Sequence, residues 1–198
     1  MDLQISVFLL FILFTAGHSF SCYECTGLNG SCADQKLKTC PSGSSKCMSL
    51  TAITQAEISV KVKIKDCAPA CQSGSMNFGF TIVTSFCCYT DLCNVRDAPD
   101  HSNVTNGKKC YTIDLQNRTT ILSCSGTEDR CIKATATLED QSLVIKGCAS
   151  KSICEATSPV PNVKSVSCCE GNLCNSAQSV SQSFLFLCCS LLSYFLLH

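Results

Sequence analysis

Cysteine is the residue type with the greatest capacity for chemistry in this chain. The 198 residues include 20 cysteines but only three histidines, His18, His101 and His198. Thiols at this density can bind metal ions, act as redox groups or pair as disulfides, and a reducing compartment would leave them reactive. The composition therefore predicts that oxidation or metal binding occupies most of these cysteines.

Catalytic and metal sites are weakly supported by the sequence. Cys22-x2-Cys25 has the spacing of a zinc or redox motif, but zinc sites usually need a second pair of Cys or His ligands. A Ser-His-Asp triad needs a histidine held rigidly against an acid, and we interpret His101, which follows Asp100, as a solvated residue. The sequence therefore predicts a protein that is not an enzyme and has no catalytic residues, metal or cofactor.

The N-terminal segment has the pattern of a secretory signal. An apolar run over residues 5–14 is followed by small residues, which is typical of a signal peptide and its cleavage zone. The pattern predicts a signal peptide over residues 1–19 with cleavage after Ser19, or alternatively after Gly17. A cysteine-rich sequence directly after it fits an oxidising, extracellular environment.

The C-terminal segment has the pattern of a GPI-attachment signal. Residues 184–197 form a 14-residue apolar tail after a polar spacer, and no Lys or Arg follows Lys164. A membrane-spanning helix needs about 20 apolar residues, whereas small residues, a spacer and a short tail are typical of GPI attachment. The pattern predicts a propeptide over residues 176–198, attachment at Asn175 and Ser176 as the alternative. A short membrane helix with palmitoylated cysteines is the other interpretation.

The cysteines between the two ends form a duplicated frame. Segments 87–94 (CCYTDLCN) and 168–175 (CCEGNLCN) are nearly the same string, and the other matching cysteines are offset by 81 to 88 positions. A repeat of this kind predicts two tandem copies of one small domain. The copies cover residues 20–95 and 110–175, and a solvated linker over residues 96–109 joins them.

One disulfide follows from the repeat itself. Cys25 and Cys32 are the only cysteines of the first copy without counterparts in the second copy. Because both copies retain an even number of cysteines, we expect these two residues to bond to each other. The other eight cysteines of a copy allow 105 connectivities, and their spacing leaves the choice open.

The frame resembles that of the LU superfamily, the three-finger proteins that include lymphocyte antigens, protectin, the urokinase receptor and snake neurotoxins. The resemblance rests on the initial Cys-x2-Cys, the Cys-Cys doublets and the two Cys-x4-Cys-Asn endings. It implies an all-β, disulfide-rich fold with two tandem three-finger (snake toxin-like) domains, the second lacking the first-finger bridge. It also implies the disulfides Cys22–Cys47, Cys25–Cys32, Cys40–Cys67, Cys71–Cys87, Cys88–Cys93, Cys110–Cys131, Cys124–Cys148, Cys154–Cys168 and Cys169–Cys174.

Local patterns agree with β-fingers. Residues 58–65 alternate between apolar and polar side chains, which predicts a half-buried strand. Residues 138–145 predict a strand, a turn and a second strand, and segments 80–86 and 163–167 predict the last strand of each copy. No run has convincing helical periodicity.

Exposed side chains offer two kinds of candidate site. Lys61, Lys63 and Lys65 form a basic row on one strand face, which is either a contact for an acidic protein or glycosaminoglycan, or a solvated face that prevents edge-to-edge pairing. We favour the solvated face. Sequons predict N-glycosylation, most readily at Asn103 in the linker, and also at Asn117 and Asn29.

The resemblance implies a binding protein of the cell surface. It indicates a GPI-anchored receptor or adhesion-type protein, similar to the urokinase receptor, on the extracellular face of the cell membrane, with an extracellular protein ligand. Fifteen basic and fifteen acidic residues argue against a nucleic-acid partner. The alternatives are a secreted inhibitor resembling the gamma-type phospholipase inhibitors, which lack an apolar tail, and a toxin-like modulator of ligand-gated channels.

Overall fold

The protein is almost entirely β-structure. The computed structural model describes residues 19–30, 32–55, 58–138, 141–156 and 163–176. These residues form one short helix, α1, and a set of strands, which confirms the predicted all-β, disulfide-rich class. The elements are β1 (Ser21–Leu28), β2 (Lys36–Thr39), β3 (Lys46–Gln55), β4 (Ser59–Ala68), β5 (Gly74–Asn77), β6 (Thr81–Cys88), β7 (Thr105–Ile113), β8 (Thr119–Ser125), β9 (Arg130–Leu138), β10 (Gln141–Ala149), α1 (Lys151–Cys154) and β11 (Val163–Cys169).

The strands predicted from sequence patterns are all present. The alternating run lies in β4, the predicted strand–turn–strand corresponds to β9 and β10, and the two final strands are β6 and β11. The predicted signal peptide (1–19) and the predicted propeptide (176–198) lie outside the described residues except for Ser19 and Ser176. Within the described part of the chain, no helix has both the length and the apolar character needed to cross a membrane.

The chain divides into two compact units. The first contains the residues up to 73 together with 83–100, and the second contains 74–82 together with the residues from 101 onward. Residues 74–82, which belong to the first repeat in sequence, are thus part of the second unit. The linker is divided between the units after Asp100.

The first unit is built on antiparallel pairs around β4. Strand β3 pairs with β4 along ten residues, from Lys46 opposite Ala68 to Gln55 opposite Ser59. Strand β1 pairs with β4 through its second half and with β2 through its first half, and β6 is the neighbour of β3 on the other side. These pairs form the strand surface on which the candidate site lies.

The second unit places β9 between β10 and β11, with β7 and β8 as a separate hairpin. Strand β5 extends the edge of β10, where Asn77 lies opposite Cys148 and Met76 opposite Ala149. A Cβ atom at Gly147 would lie 2.0 Å from the Asn77 carbonyl oxygen. Only glycine allows β5 to approach β10 this closely.

Disulfides occupy the centre of each unit. Cys22 and Cys47 are fully buried, and the Cys22 sulfur lies 3.3 Å from that of Cys40 in the neighbouring bridge. The second unit repeats this contact at 3.4 Å between Cys110 and Cys124. Large apolar side chains are absent from the fully buried positions of the described residues. Cross-linked sulfur therefore takes the place of a conventional hydrophobic core.

The nine disulfides have the partners that the family resemblance implies. Two groups of three sulfurs lie close enough together to suggest a metal site, Cys22 with Cys40 and Cys67, and the equivalent group in the second unit. All of them are in disulfides and offer no thiolate ligand. The bridges are Cys22–Cys47, Cys25–Cys32, Cys40–Cys67, Cys71–Cys87, Cys88–Cys93, Cys110–Cys131, Cys124–Cys148, Cys154–Cys168 and Cys169–Cys174.

The asparagine that ends each cysteine frame connects the strands. The side-chain oxygen of buried Asn94 accepts a hydrogen bond from the Tyr23 backbone N–H, and its amide donates to the carbonyls of Tyr23 and Met48. Asn175 binds Tyr111 in the same way and also donates to the Ile132 carbonyl. The Cys-Asn endings are therefore structural.

Replacing Gly147 with Ala should lower the free energy of unfolding by about 3 kcal/mol, because the new methyl group overlaps the Asn77 backbone. Denaturant unfolding of the purified protein with its disulfides intact measures the effect. Gly171→Ala is the matched control, since its nearest neighbour would be 3.6 Å away. Equal stabilities of the two variants would contradict the close approach of β5.

Replacing Asn94 with Ala should cost about 3 kcal/mol, because buried backbone groups of Tyr23 and Met48 lose their partners. Thermal unfolding of Asn94→Ala and Asn94→Asp checks the assignment. The aspartate retains the accepting oxygen and loses the donor, so we expect an intermediate stability. A wild-type melting temperature for Asn94→Ala would be inconsistent with this connecting role.

Candidate functional site

The three lysines of the predicted basic row bind carboxylates of the linker. They lie on one face of β4 because alternate residues of a strand share a face. The Lys63 ammonium lies 2.8 Å from one oxygen of Asp97, and the Lys65 ammonium lies 3.1 Å from the other oxygen. Lys61 lies 2.5 Å from Asp100. Each lysine thus has an acidic partner in the chain itself.

The solvated-face interpretation of this row is wrong. The Lys65 side chain is only 2% exposed, and it also donates hydrogen bonds to Gln35 and to the Val95 carbonyl. In contrast, the apolar residue Ile58 at the start of the alternating run is 78% exposed. The alternation correctly separates the two faces, but the linker acids cover the polar face.

Residues 95–100, which we call the strap, run across this surface. Ala98 in the strap is 3% exposed, which the prediction of a solvated linker did not anticipate, whereas Val95, Arg96, Pro99 and Asp100 are exposed. Besides the lysines, hydroxyl groups bind its backbone. Ser49 donates to the Arg96 carbonyl, Thr51 to Ala98 and Thr84 to Pro99. We call the surface that holds the strap the first palm, formed by Ser49, Thr51, Lys63, Lys65 and Thr84.

The lysines keep the strap carboxylates ionised. Partial burial opposes the charged form of Asp97, but hydrogen bonds from Lys63 and Lys65 outweigh it and hold the pKa below the usual value. The hydrogen bond from Lys61 lowers the pKa of Asp100. The first palm therefore binds the strap, which has a turn at Val95 and a bend at Arg96, through two complementary contacts, carboxylate to ammonium and carbonyl to hydroxyl.

A corresponding surface occurs in the second unit. Applying the repeat offsets of 84 positions for β9 and 81 for β10 and β11, Lys146 replaces Lys65 and Lys133 replaces Ser49. We call this surface the second palm, formed by Lys133, Thr135, Lys146 and Ser165. Lys133 lies directly opposite Lys146 in the β9–β10 ladder, and Thr135 lies opposite Ser165 on β11.

The second palm lacks the acidic partners that the first palm has. Among the described residues, no carboxylate forms an ion pair with Lys133 or Lys146. Lys146 is nevertheless largely buried, with only 8% of its surface exposed. This burial lowers the pKa of the Lys146 ammonium group, and the positive charge of Lys133 lowers it further. The second palm is therefore a positively charged surface without a visible counter-charge.

His101 is a structural residue, so its interpretation as solvated is wrong. Its Nε2 atom lies 2.8 Å from Oε1 of Glu128, whose side chain is completely buried. The other carboxylate oxygen accepts the backbone N–H of Ser125. The acid that binds His101 is therefore Glu128, 27 positions away in sequence, and not the adjacent Asp100.

The candidate modification sites differ in exposure. All three sequon asparagines, Asn29, Asn103 and Asn117, are exposed, and Asn29 and Asn117 adopt the left-handed backbone conformation common in turns. Asn175 is 4% exposed, whereas Ser176 is exposed. The two candidate GPI-attachment residues therefore differ in accessibility.

The fold and the cysteine frame define a protein of two tandem three-finger-type domains. Residues 18–96 match the family model of the u-PAR/Ly-6 domain, and residues 108–175 match that of snake toxins and toxin-like proteins. The chain is a member of the LU superfamily.

Its curated relatives include cell-surface receptors. The urokinase plasminogen activator surface receptor of Rattus norvegicus is 28% identical over 186 residues, covering 82% of this chain and 56% of the receptor. The Mus musculus receptor is 29% identical over 187 residues, covering 82% and 57%. The chain thus spans little more than half the length of these relatives. The crystal structure of mouse TEX101 matches with 15% identity and a TM-score of 0.34, covering 77% of this chain and 99% of that chain.

Replacing Lys65 with Met should lower the free energy of unfolding by about 3 kcal/mol, because it leaves the Asp97 carboxylate with one cation instead of two in a largely covered site. Lys61→Met is the control. Its partner Asp100 is 68% exposed, so we expect a loss below about 1 kcal/mol. Denaturant unfolding compares the two variants, and equal losses would contradict the difference in burial.

The contribution of Asp97 should depend on pH. The two lysine ammonium groups hold its folded-state pKa below the usual value of 3.8, so the stabilisation is fully present above pH 4 and is lost as the pH falls through the lowered pKa. The difference in melting temperature between wild type and Asp97→Asn should therefore shrink below pH 4. A constant difference down to pH 2 would show that the ion pairs do not stabilise the strap.

Proposed function

We propose that the protein is a GPI-anchored receptor or adhesion-type protein of the cell surface that presents its two LU domains to an extracellular protein ligand. The observation that carries this proposal is the similarity to urokinase plasminogen activator surface receptors across both repeats, over 82% of the chain. The relatives are receptors by name, and the bovine receptor shares 31% identity over 103 residues.

The first palm supports a binding role on physical grounds. It holds a six-residue segment by contacts that a foreign peptide could also make, carboxylates to lysines and backbone carbonyls to hydroxyls. A ligand contact at Lys61, Lys63 or Lys65 would have to displace the strap. The frame cysteines are in disulfides and offer no free thiolate.

The proposed anchor follows from the C-terminal sequence, and the structure supports Ser176 as the attachment residue over Asn175. Transfer to a lipid needs an accessible backbone, and the buried, hydrogen-bonded Asn175 side chain holds its own segment against β7 and β9. Attachment at Ser176 leaves those contacts intact. We also propose N-glycans at Asn29, Asn103 and Asn117, consistent with their exposure.

The anchor is tested by expressing the full chain in mammalian cells and treating intact cells with phosphatidylinositol-specific phospholipase C. We expect loss of the protein from the cell surface and its recovery in the medium. The control replaces residues 176–198 with a membrane-spanning helix, which the enzyme should not release. Retention of the wild-type chain on treated cells, or its presence only in the medium of untreated cells, would contradict the proposal.

The receptor role is tested by cross-linking on the same cells with a membrane-impermeant reagent. We expect a covalent complex with an extracellular or cell-surface protein that can be identified by mass spectrometry. A chain of unrelated fold carrying the same C-terminal residues is the control for proximity at the membrane. Recovery of the same proteins with both chains would contradict specific binding.

A further inference from the structure

We propose that the second palm binds an extended segment of a protein partner carrying an aspartate or glutamate, in the way that the first palm holds the strap. The carboxylate would lie between Lys133 and Lys146, and the hydroxyls of Thr135 and Ser165 would bind backbone carbonyls of the partner. This inference rests on the proposed receptor function, because it names the surface and the chemistry of the partner contact.

The first palm is the structural precedent. In it, one aspartate, Asp97, bridges two ammonium groups at 2.8 and 3.1 Å, and Ser49 and Thr51 donate to carbonyls of alternate strap residues. The backbone contacts accept any extended sequence, and only the carboxylate is selected by charge. A surface of this kind recognises an acid-bearing strand rather than a particular set of side chains.

The second palm also has two lysines and two hydroxyl side chains, but no strap covers it among the described residues. Lys146 is in the position of Lys65, and Thr135 is in the position of Thr51 by the repeat offsets. Within the described part of the chain, no carboxylate forms an ion pair with Lys133 or Lys146. We infer that a partner molecule supplies the carboxylate that Asp97 supplies in the first palm.

The charges of the second palm favour an anionic occupant. Two ammonium groups directly opposite each other across β9 and β10 repel, and Lys146 is largely covered without a carboxylate within ion-pair reach in the described chain. The lowered pKa of Lys146 reports the same cost. A carboxylate between the two lysines would relieve both effects at once, as Asp97 does between Lys63 and Lys65.

The arrangement suits a peptide better than a sulfated polysaccharide. By the repeat offset, Lys61 and Lys63 of the first copy correspond to Ser142 and Val144 of the second, so only one pair of cations remains and Lys146 of this pair is nearly buried. A polyanion is attracted by rows of exposed cations. A peptide with one carboxylate between backbone carbonyls is complementary to the second palm, where two lysines lie beside two hydroxyl groups.

The test uses the full chain on cells and a fluorescent synthetic peptide with the strap sequence of residues 95–100, VRDAPD. A matched peptide carries asparagine in place of its first aspartate. We expect saturable binding of the acidic peptide and at least about tenfold weaker binding of the amide peptide, the effect of losing one charge-assisted contact.

Lysine variants locate the binding site. Lys133→Gln and Lys146→Gln should each weaken binding of the acidic peptide about tenfold. Lys109→Gln, at an exposed lysine elsewhere in the second unit, should leave it unchanged. Surface staining with an antibody to an N-terminal tag placed after the signal peptide verifies equal display of every variant.

Stability separates a binding role from a structural one. Lys146→Met should raise the melting temperature at neutral pH, because it removes a covered charge that has no ion-pair partner among the described residues, while it weakens binding of the acidic peptide at least about tenfold. A residue kept for stability alone would lower the melting temperature, as we expect for Lys65→Met. A lower melting temperature for Lys146→Met would overturn the proposal.

Two further outcomes would overturn the proposal. One is equal binding of the acidic and amide peptides, or binding that does not depend on Lys133 and Lys146. The other is lysine-dependent binding of heparan sulfate without binding of the acidic peptide. A cross-linked partner whose capture is unaffected by both lysine variants would remove this site and leave the receptor function intact. Failure of phospholipase release would instead affect only the proposed anchor.

Discussion

The contact between two neighbouring disulfides at the base of each frame is the constraint on which the rest of the structure depends. Chains of this size bury too little apolar surface to be stable without cross-links. The sulfurs of Cys22 and Cys40 touch at the centre of the first unit, and those of Cys110 and Cys124 do so in the second. The strands extend from these fixed points, so their outer surfaces need not form a core. Palm residues can then be polar, and the two copies can diverge there without loss of the fold.

The two copies of the domain differ in how the charge of a covered lysine is balanced. Both copies have a largely covered lysine, Lys65 or Lys146, two residues before the matching cysteine. In the first copy the linker supplies the carboxylate of Asp97, so the surface is occupied by a segment of the same chain. In the second copy a second lysine, Lys133, occupies the position of a serine, and the surface keeps its positive charge. The two copies therefore differ in the charge of this surface, while the pairing of the backbone strands is retained.

The sequence predicts the framework well because cysteines, alternation and the repeat are local or periodic signals. They give the fold class, the strands and the first-finger bridge between Cys25 and Cys32. They do not reveal which element covers a strand face, because that depends on contacts between residues far apart in sequence. Two such long-range contacts are the ion pair of Lys65 with Asp97 and the contact of His101 with Glu128. A signal was nevertheless present, since two acids in the linker follow a strand with three lysines on one face.

The position of residues 74–82 also bears on how the protein responds to proteolysis. The backbone passes between the two compact units three times, after residues 73, 82 and 100, and every described disulfide joins cysteines of the same repeat. A nick in the linker would cut only one of these passages. The N-terminal fragment would still hold β5 on the edge of β10, where the Ser150 N–H donates to the Ser75 carbonyl and the Ser75 N–H donates to the Ser150 hydroxyl oxygen. Cleavage would yield a non-covalent complex of two fragments rather than two separate domains.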